Sequence, residues 1–324
     1  MRQTAISMVY ELAKRDPRVL FLGSDLGPGI LEAMRQEFPD RWYMEGVNEA
    51  NFIGMSAGLA MEGFIPYLNT IAPFFTRRAF EQIAVDLCLH NLPVRMLSSG
   101  GGLVYAPLGP THLAIEDMAA MRALPNMTVV ACSDAEEMKR LMDQTLDWPG
   151  PMYIRLAKGG DPVVSDPSKP FKIGKAILVR EPGTVLLITT GVMLQQCLQA
   201  ADLLAGSGIT CGILHMHTIK PLDTEAVKEY SAGVRMVVTV EEHIRSGGLG
   251  TAVLETLSDA GEMPPMMRLG IPDAFPHEYG SQDTMFDTYG LKGPQIAKSV
   301  SAELLANDRG GRQGRLSMQP ATAK

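Results

Sequence analysis

What most constrains this chain is an alternation. Short apolar runs rich in β-branched residues alternate with stretches of helical period, and the pattern breaks once and then resumes. In the first half, strands are expected at residues 19–22, 64–69, 94–97, 127–131 and 152–155. Helices are expected between them at 30–38, 75–89, 115–124 and 136–146. Strands separated by helices of this length make βαβ units and a parallel sheet. Residues 157–172 (AKGGDPVVSDPSKPFK) carry three prolines, two glycines and no periodicity, a linker signature. Beyond it come strands at 185–189, 210–215, 236–240 and 267–269, and helices at 193–205, 224–230, 251–260 and 294–305. The expectation is two consecutive open, largely parallel α/β domains, at 1–160 and 173–307, joined by a linker at 161–172. A polar tail, 308–324, is expected to be disordered. In such sheets ligands bind beyond the carboxyl ends of the strands. Chemistry is therefore sought in the loops at 23–29, 70–74, 98–112 and 156–160.

Composition supports a large core. Of 324 residues, 46% are hydrophobic and 20% charged, which excludes wholesale disorder. The net charge of -7 argues against a generic nucleic-acid binder. The four cysteines form no C-x-x-C pair and lie in apolar stretches, as buried reduced thiols do. That favours a reducing, cytoplasmic compartment. Glu11, Lys14 and Asp16 interrupt the N-terminal stretch as a signal peptide, and no window approaches the roughly 18 apolar residues of a membrane span. There is no P-loop, no H-E-x-x-H metal motif and no G-x-S-x-G nucleophile elbow. Gly100-Gly101-Gly102 lacks dinucleotide-binding spacing. Gly247-Gly248-Leu249-Gly250 opens a helix, where close packing is expected ahead of anion binding. With no obvious protein nucleophile, a cofactor is the natural carrier of the hard chemistry.

An ordered series of motifs says which one. Residues 38–51 read FPDRWYMEGVNEAN, 54–63 GMSAGLAMEG, 69–82 NTIAPFFTRRAFEQ and 109–112 GPTH. In the second half, 218–223 read TIKPLD and 240–250 VEEHIRSGGLG. The series resembles the pyrimidine-binding and C-terminal domains of the transketolase family of thiamine diphosphate enzymes, over about residues 1–305. The nearest form is the C-terminal subunit of a split transketolase.

The resemblance assigns roles residue by residue. Glu49 matches the family's glutamate that hydrogen-bonds the cofactor's aminopyrimidine ring, which then deprotonates the thiazolium. A semi-buried carboxyl suits that task. Read alone, Glu49 is more simply a first-turn acid complementing a helix dipole. The small residues that follow suit a helix packed closely on another backbone, and in the family that helix lies at the subunit interface. Phe74 matches the aromatic that stacks on the aminopyrimidine, with Phe75 its rival. Ile71 and Arg77 stand in the cofactor pocket where transketolases carry Phe and Tyr. Asp25 either supports the cofactor site or caps a turn. His112 matches a histidine over the thiazolium that hydrogen-bonds the substrate carbonyl and developing oxyanion. Arg155 matches an arginine binding substrate phosphate, with Lys158 adding charge, although an interface ion pair at Arg155 would read identically.

Two departures bear on substrate. Leu108 stands where transketolases carry an aspartate touching donor hydroxyls, and Gly100 where they carry a histidine. A standard sugar phosphate donor is thereby less firmly indicated. The family holds Mg²⁺ and the diphosphate on a G-D-G…Asn signature that this sequence lacks. The resemblance thus implies a partner: an N-terminal, diphosphate-binding subunit that carries the Mg²⁺ ligands, in an α2β2 assembly acting on a small sugar. Two rivals remain: a decarboxylating relative (a 2-oxo acid dehydrogenase beta subunit or a deoxyxylulose-phosphate-synthase-like enzyme) and a catalytically silent scaffold. His215, His217 and His243 are expected to be structural.

Overall fold

The computed structural model describes residues 1–24, 28–261 and 263–316. Twelve strands among them form two sheets. The first holds β1 (Val19–Gly23), β2 (Trp42–Met44), β3 (Ile65–Ile71), β4 (Arg95–Ser99), β5 (Thr128–Ala131) and β6 (Met152–Leu156). The second holds β7 (Ile177–Arg180), β8 (Val185–Thr189), β9 (Cys211–His215), β11 (Met236–Ile244) and β12 (Met266–Ile271). β10 (Thr218–Lys220) lies in the second half of the chain but pairs with β5, giving a first sheet of order β10-β5-β6-β4-β3-β1-β2. The second sheet runs β12-β11-β8-β9-β7. Every pairing is parallel except β10 with β5 and β7 with β9. The fold is thus two largely parallel α/β sheets.

The central strands are buried along their whole length: Val-Leu-Phe-Leu-Gly in β1 and Val-Leu-Leu-Ile-Thr in β8. Strands covered by helices on both faces read as continuous apolar runs, which is why they were visible in the sequence. Three strands were not expected. β2 and β10 have only three residues each, and β7 is an antiparallel edge strand that is buried only at Ile177. The helices Arg2–Arg15 and Gln282–Thr288 also went unread.

Two expected helices differ in form. The stretch 75–89 is not one α-helix but two π-helical segments, Phe74–Arg78 and Ile83–Cys88, flanking a short α turn at Phe80–Gln82. Such widened turns re-aim side chains and recur at functional sites. The last helix is described as Gly293–Leu316, into the stretch expected as a tail, and residues 317–324 lie outside the described residues. After Pro294, in the first turn of this helix, the sequence holds no proline until Pro320.

The domains are not separate bodies. One apolar cluster runs from Leu20, Phe52 and Leu68 of the first sheet's layers to Leu186, Leu214 and Val237 of the second. Buried polar groups cross the same junction. His215 Nε2 lies 3.0 Å from Glu137 Oε2, and His243 Nε2 accepts from Ala119 N at 3.2 Å. The glycine-rich turn at 247–250 does meet an anion, and it belongs to the chain. Glu241 accepts from Leu249 N and Gly250 N, both at 2.8 Å, at the start of helix Leu249–Asp259. A Cβ on Gly248 would fall 2.1 Å from that carboxylate.

A candidate cofactor site at the carboxyl edge of the first sheet

Glu49 opens helix Glu49–Met61, immediately after β2 and its turn. Its side chain is buried, 1% exposed. Thr70, near the end of β3, donates Oγ1–H to Glu49 Oε1 at 3.1 Å. Arg78 donates Nη1–H to Glu49 Oε2 at 2.6 Å. β3 ends at Ile71, which is half-buried, and the chain turns directly into the π segment Phe74–Arg78. Phe75 points into the core, fully buried and edge-on to Phe52 at 5.8 Å. Phe74 stays half-buried, with the Arg78 guanidinium 4.4 Å over its ring. Structure thereby separates the two phenylalanines: Phe74 lines the edge and Phe75 packs beneath it.

His112 reaches the same place from the other side. It lies on the loop after β4, and its ring sits 5.3 Å from that of Phe74, tilted by 67°. Its Nδ1 is 2.9 Å from Thr111 Oγ1 and its backbone N–H donates to Gly109 O at 3.0 Å. Gly109 has φ +79°, and the Tyr279 ring lies 2.9 Å from where its Cβ would be, so the turn needs glycine twice over. Glu49, Arg78, Phe74 and His112 form one contiguous row at the carboxyl ends of β3 and β4, as open parallel sheets require.

Arg77 was expected to contact the cofactor. Its donors face elsewhere. Nη1 donates to Pro110 O at 3.2 Å and Nη2 to Leu113 O at 2.8 Å, and Nε and Nη2 fork onto Glu116. It clamps the His112 loop to the segment that carries Phe74. Arg155, expected at substrate phosphate, is likewise committed. It is 7% exposed and donates to Asp117 Oδ2 at 2.8 Å and Oδ1 at 3.1 Å, and to the carbonyls of Ala114 and Glu242, both at 2.9 Å. The geometry is that of a buried ion pair within the first domain, with one bond across to the Glu242 carbonyl, and a buried guanidinium left unpaired would be costly.

The triple glycine at 100–102 now has a cause. Added Cβ atoms there would fall 2.0 Å from the Tyr105 ring, 2.4 Å from Arg155 and 2.3 Å from Glu242. Glu242, buried between the domains, accepts from Leu103 N at 2.7 Å and Gln282 Nε2 at 2.8 Å. Burial pushes its carboxyl up to about 7, against the pull of Arg155. Sequence reasoning missed Glu242, Glu116 and Arg78; nothing in a linear motif shows which side chains a loop's glycines admit.

Lys158 is exposed and lies beyond β6, lining an open cleft of about 850 Å³ with Arg2, Lys139, Glu11 and Asp161. Among the described residues it has no ion-pair partner. Asp25 lies outside the described residues. No group of three or more His, Cys, Asp or Glu side chains converges as a metal site among the described residues. All four cysteines are free and buried.

Fold and site together define a two-domain α/β chain with a carboxyl, an aromatic face and a histidine gathered at one sheet edge. Residues 1–160 match the transketolase pyrimidine-binding domain and residues 174–296 the transketolase C-terminal domain, so the chain belongs to the transketolase family. It is 35% identical over 301 residues to a 6-deoxy-6-sulfo-D-fructose transketolase subunit, SqwH, of Clostridium sp. (strain MSTE9), covering 93% of each chain. It is 35% identical to the 1-deoxy-D-xylulose-5-phosphate synthase of Synechococcus sp. (strain JA-2-3B'a(2-13)), covering 91% of this chain and 46% of that one. A solved structure of a split gene transketolase, an inactive beta4 tetramer, superposes with a TM-score of 0.85 at 32% identity, covering 93% of this chain and 96% of that one.

Proposed function

We propose that this chain is the C-terminal subunit of a split, thiamine diphosphate-dependent transketolase that moves a two-carbon ketol unit from a ketose to an aldose. The observation that carries the reading is the row Glu49–Phe74–His112. An aminopyrimidine needs a carboxyl at its ring nitrogen and an aromatic face beneath it. Here one planar guanidinium already touches both, so the spacing fits such a ring. The cofactor, when bound, supplies the nucleophilic carbon. Glu49 would hold the ring nitrogen, with Thr70 fixing the carboxyl from its other oxygen. Phe74 would give the ring an apolar face. His112 presents imidazole N–H toward the developing oxyanion, held in place by the Arg77 clamp and the Gly109 turn. Lys158 offers the charge for an anionic end of the substrate, the part first assigned to Arg155. The SqwH relative, named for a ketose with an anionic sulfonate, makes such a substrate a natural first choice.

Mg²⁺ and the diphosphate are assigned to a partner subunit, with self-association into α2β2. The small-residue face of helix Glu49–Met61 supports contact with another chain: Cβ atoms on Gly54 and Gly58 would meet nothing closer than 3.9 Å. The test is reconstitution with the adjacent diphosphate-binding gene product, thiamine diphosphate and Mg²⁺, followed by a donor–acceptor screen. Ketol transfer is expected, and Glu49→Gln should lower kcat by at least about 100-fold, the lower end of the general acid–base range. Unchanged turnover in Glu49→Gln would leave the chain a scaffold. The deoxyxylulose-phosphate-synthase similarity keeps decarboxylation as the second reading; pyruvate-dependent CO₂ release without ketol transfer would establish it.

A further inference from the structure

We infer that Arg78 is a built-in stand-in for the aminopyrimidine, closing the site on itself until the cofactor displaces it. The inference rests on the reading above, that Glu49 and Phe74 receive that ring. Its ground is one side chain making both contacts. Arg78 Nη1 donates to Glu49 Oε2 at 2.6 Å while its guanidinium carbon lies 4.4 Å over Phe74. Protonated at the ring nitrogen that Glu49 would meet, an aminopyrimidine is a planar cation with an N–H donor in its plane and π faces above and below. A guanidinium offers the same in-plane donor and the same flat face. Arg78 thus satisfies the two groups in the way the ring would.

The two ends of this pair differ in a manner that suits exchange. Glu49 is 1% exposed, and an unpaired carboxylate so deep is costly. Arg78 is 47% exposed, so it can leave for water with its charge solvated. Thr70 holds Oε1, which leaves Oε2 as the oxygen that changes partner. The neighbouring Arg77 cannot substitute, since the loop at 110–116 occupies its donors. Both arginines sit at the end of the π segment Phe74–Arg78, whose wide turn lets two consecutive side chains face different partners. Cofactor entry is therefore an exchange of one planar cation for another, the incoming ring taking up one proton from solvent at its nitrogen, so that the Glu49 carboxylate always faces an N–H donor.

The experiment uses the chain assembled with its diphosphate-binding partner and measures binding of thiamine diphosphate with Mg²⁺ by titration calorimetry and stopped-flow fluorescence. Arg78→Met keeps the apolar stem and removes the competitor. Its dissociation constant is expected to fall by about tenfold relative to the unsubstituted complex, with a faster association phase. Arg78→Gln serves where the Met variant fails to assemble, and the same direction is expected. An unchanged or weaker dissociation constant, with the unsubstituted complex binding normally, overturns the inference alone. Failure of every complex, unsubstituted included, to bind thiamine diphosphate overturns the cofactor reading, and this inference falls with it.

Discussion

Arg77 and Arg78 are adjacent in sequence and unlike in what they do. Arg77 holds the loop that presents His112, and Arg78 covers Glu49. Linear motifs distinguish neither this pair nor Phe74 from Phe75, because one residue of register decides which side chain faces the edge and which the core. Both phenylalanines open the π segment Phe74–Arg78, a form that the helical spacing of the sequence does not show. Glu49 and His112 were legible because an ordered series of motifs surrounds each. Arg155 was legible as a residue of importance but not as to partner, since Asp117 reaches it from 38 positions away. The clamp makes a prediction at this scale. Arg77→Leu should leave the chain folded, lower its stability by about 1–2 kcal/mol for a half-exposed charged cluster, and loosen the loop. Hydrogen–deuterium exchange of the segment 105–116 is expected to rise, while that of β3 stays unchanged. Arg77→Lys, which keeps the charge but not the fork, should restore only part of the protection.

Among the elements, the buried central strands were plain in the sequence, and the short or edge strands were not. β1 and β8 announce themselves through nearly unbroken apolar runs, whereas β2 and β10 are too short to carry a pattern. Helix Glu49–Met61 shows the value of reading small residues. Its buried face carries Phe52, Ile53, Ser56 and Ala57. The opposite face, with Gly54, Gly58 and Met61, is exposed, and Cβ atoms added to the two glycines would meet only Asp86 Oδ2, at 3.9 Å. A glycine in a helix interior costs about 1 kcal/mol relative to alanine. Two of them on one exposed face suit a close approach by another backbone. Gly58→Leu should accordingly leave the folded chain as stable or slightly more so, by up to about 1 kcal/mol. It should also weaken self-association by at least about tenfold. Sedimentation velocity across a concentration series would show the shift, and an unchanged association constant would remove this helix from the interface.

For the molecule as a whole, the two domains expected from length are present, but the border between them is a place of chemistry rather than a gap. Glu242 sits there, joining the loop at 100–103 to Gln282 of the second domain. Its carboxyl titrates near 7 in the fold against an ordinary 4.5, because burial disfavours the charge. Between those values the folded chain keeps a proton that the unfolded chain releases, so this group's contribution is full below about pH 4.5 and is lost as pH rises through 7. The loss amounts to roughly 3 kcal/mol. His217, pushed down to about 4 by burial, acts in the opposite sense as pH falls below 6.5. The informative quantity is therefore the difference between variants. Urea midpoints at pH 5 and pH 7.5 should show that Glu242→Gln gains stability relative to the parent on going to the higher pH. A pH-independent difference would mean that Glu242 is ionised throughout.

β10 has a consequence of a different kind. It is a strand from beyond the linker that finishes the sheet of the domain before it, backing β5 with antiparallel hydrogen bonds. A fragment ending at residue 160 would therefore leave the backbone of β5 bare along that side, a ready template for intermolecular pairing. The second domain is in that respect the first domain's guard against aggregation. A gene cut at the linker would separate the first sheet from the strand that covers this edge.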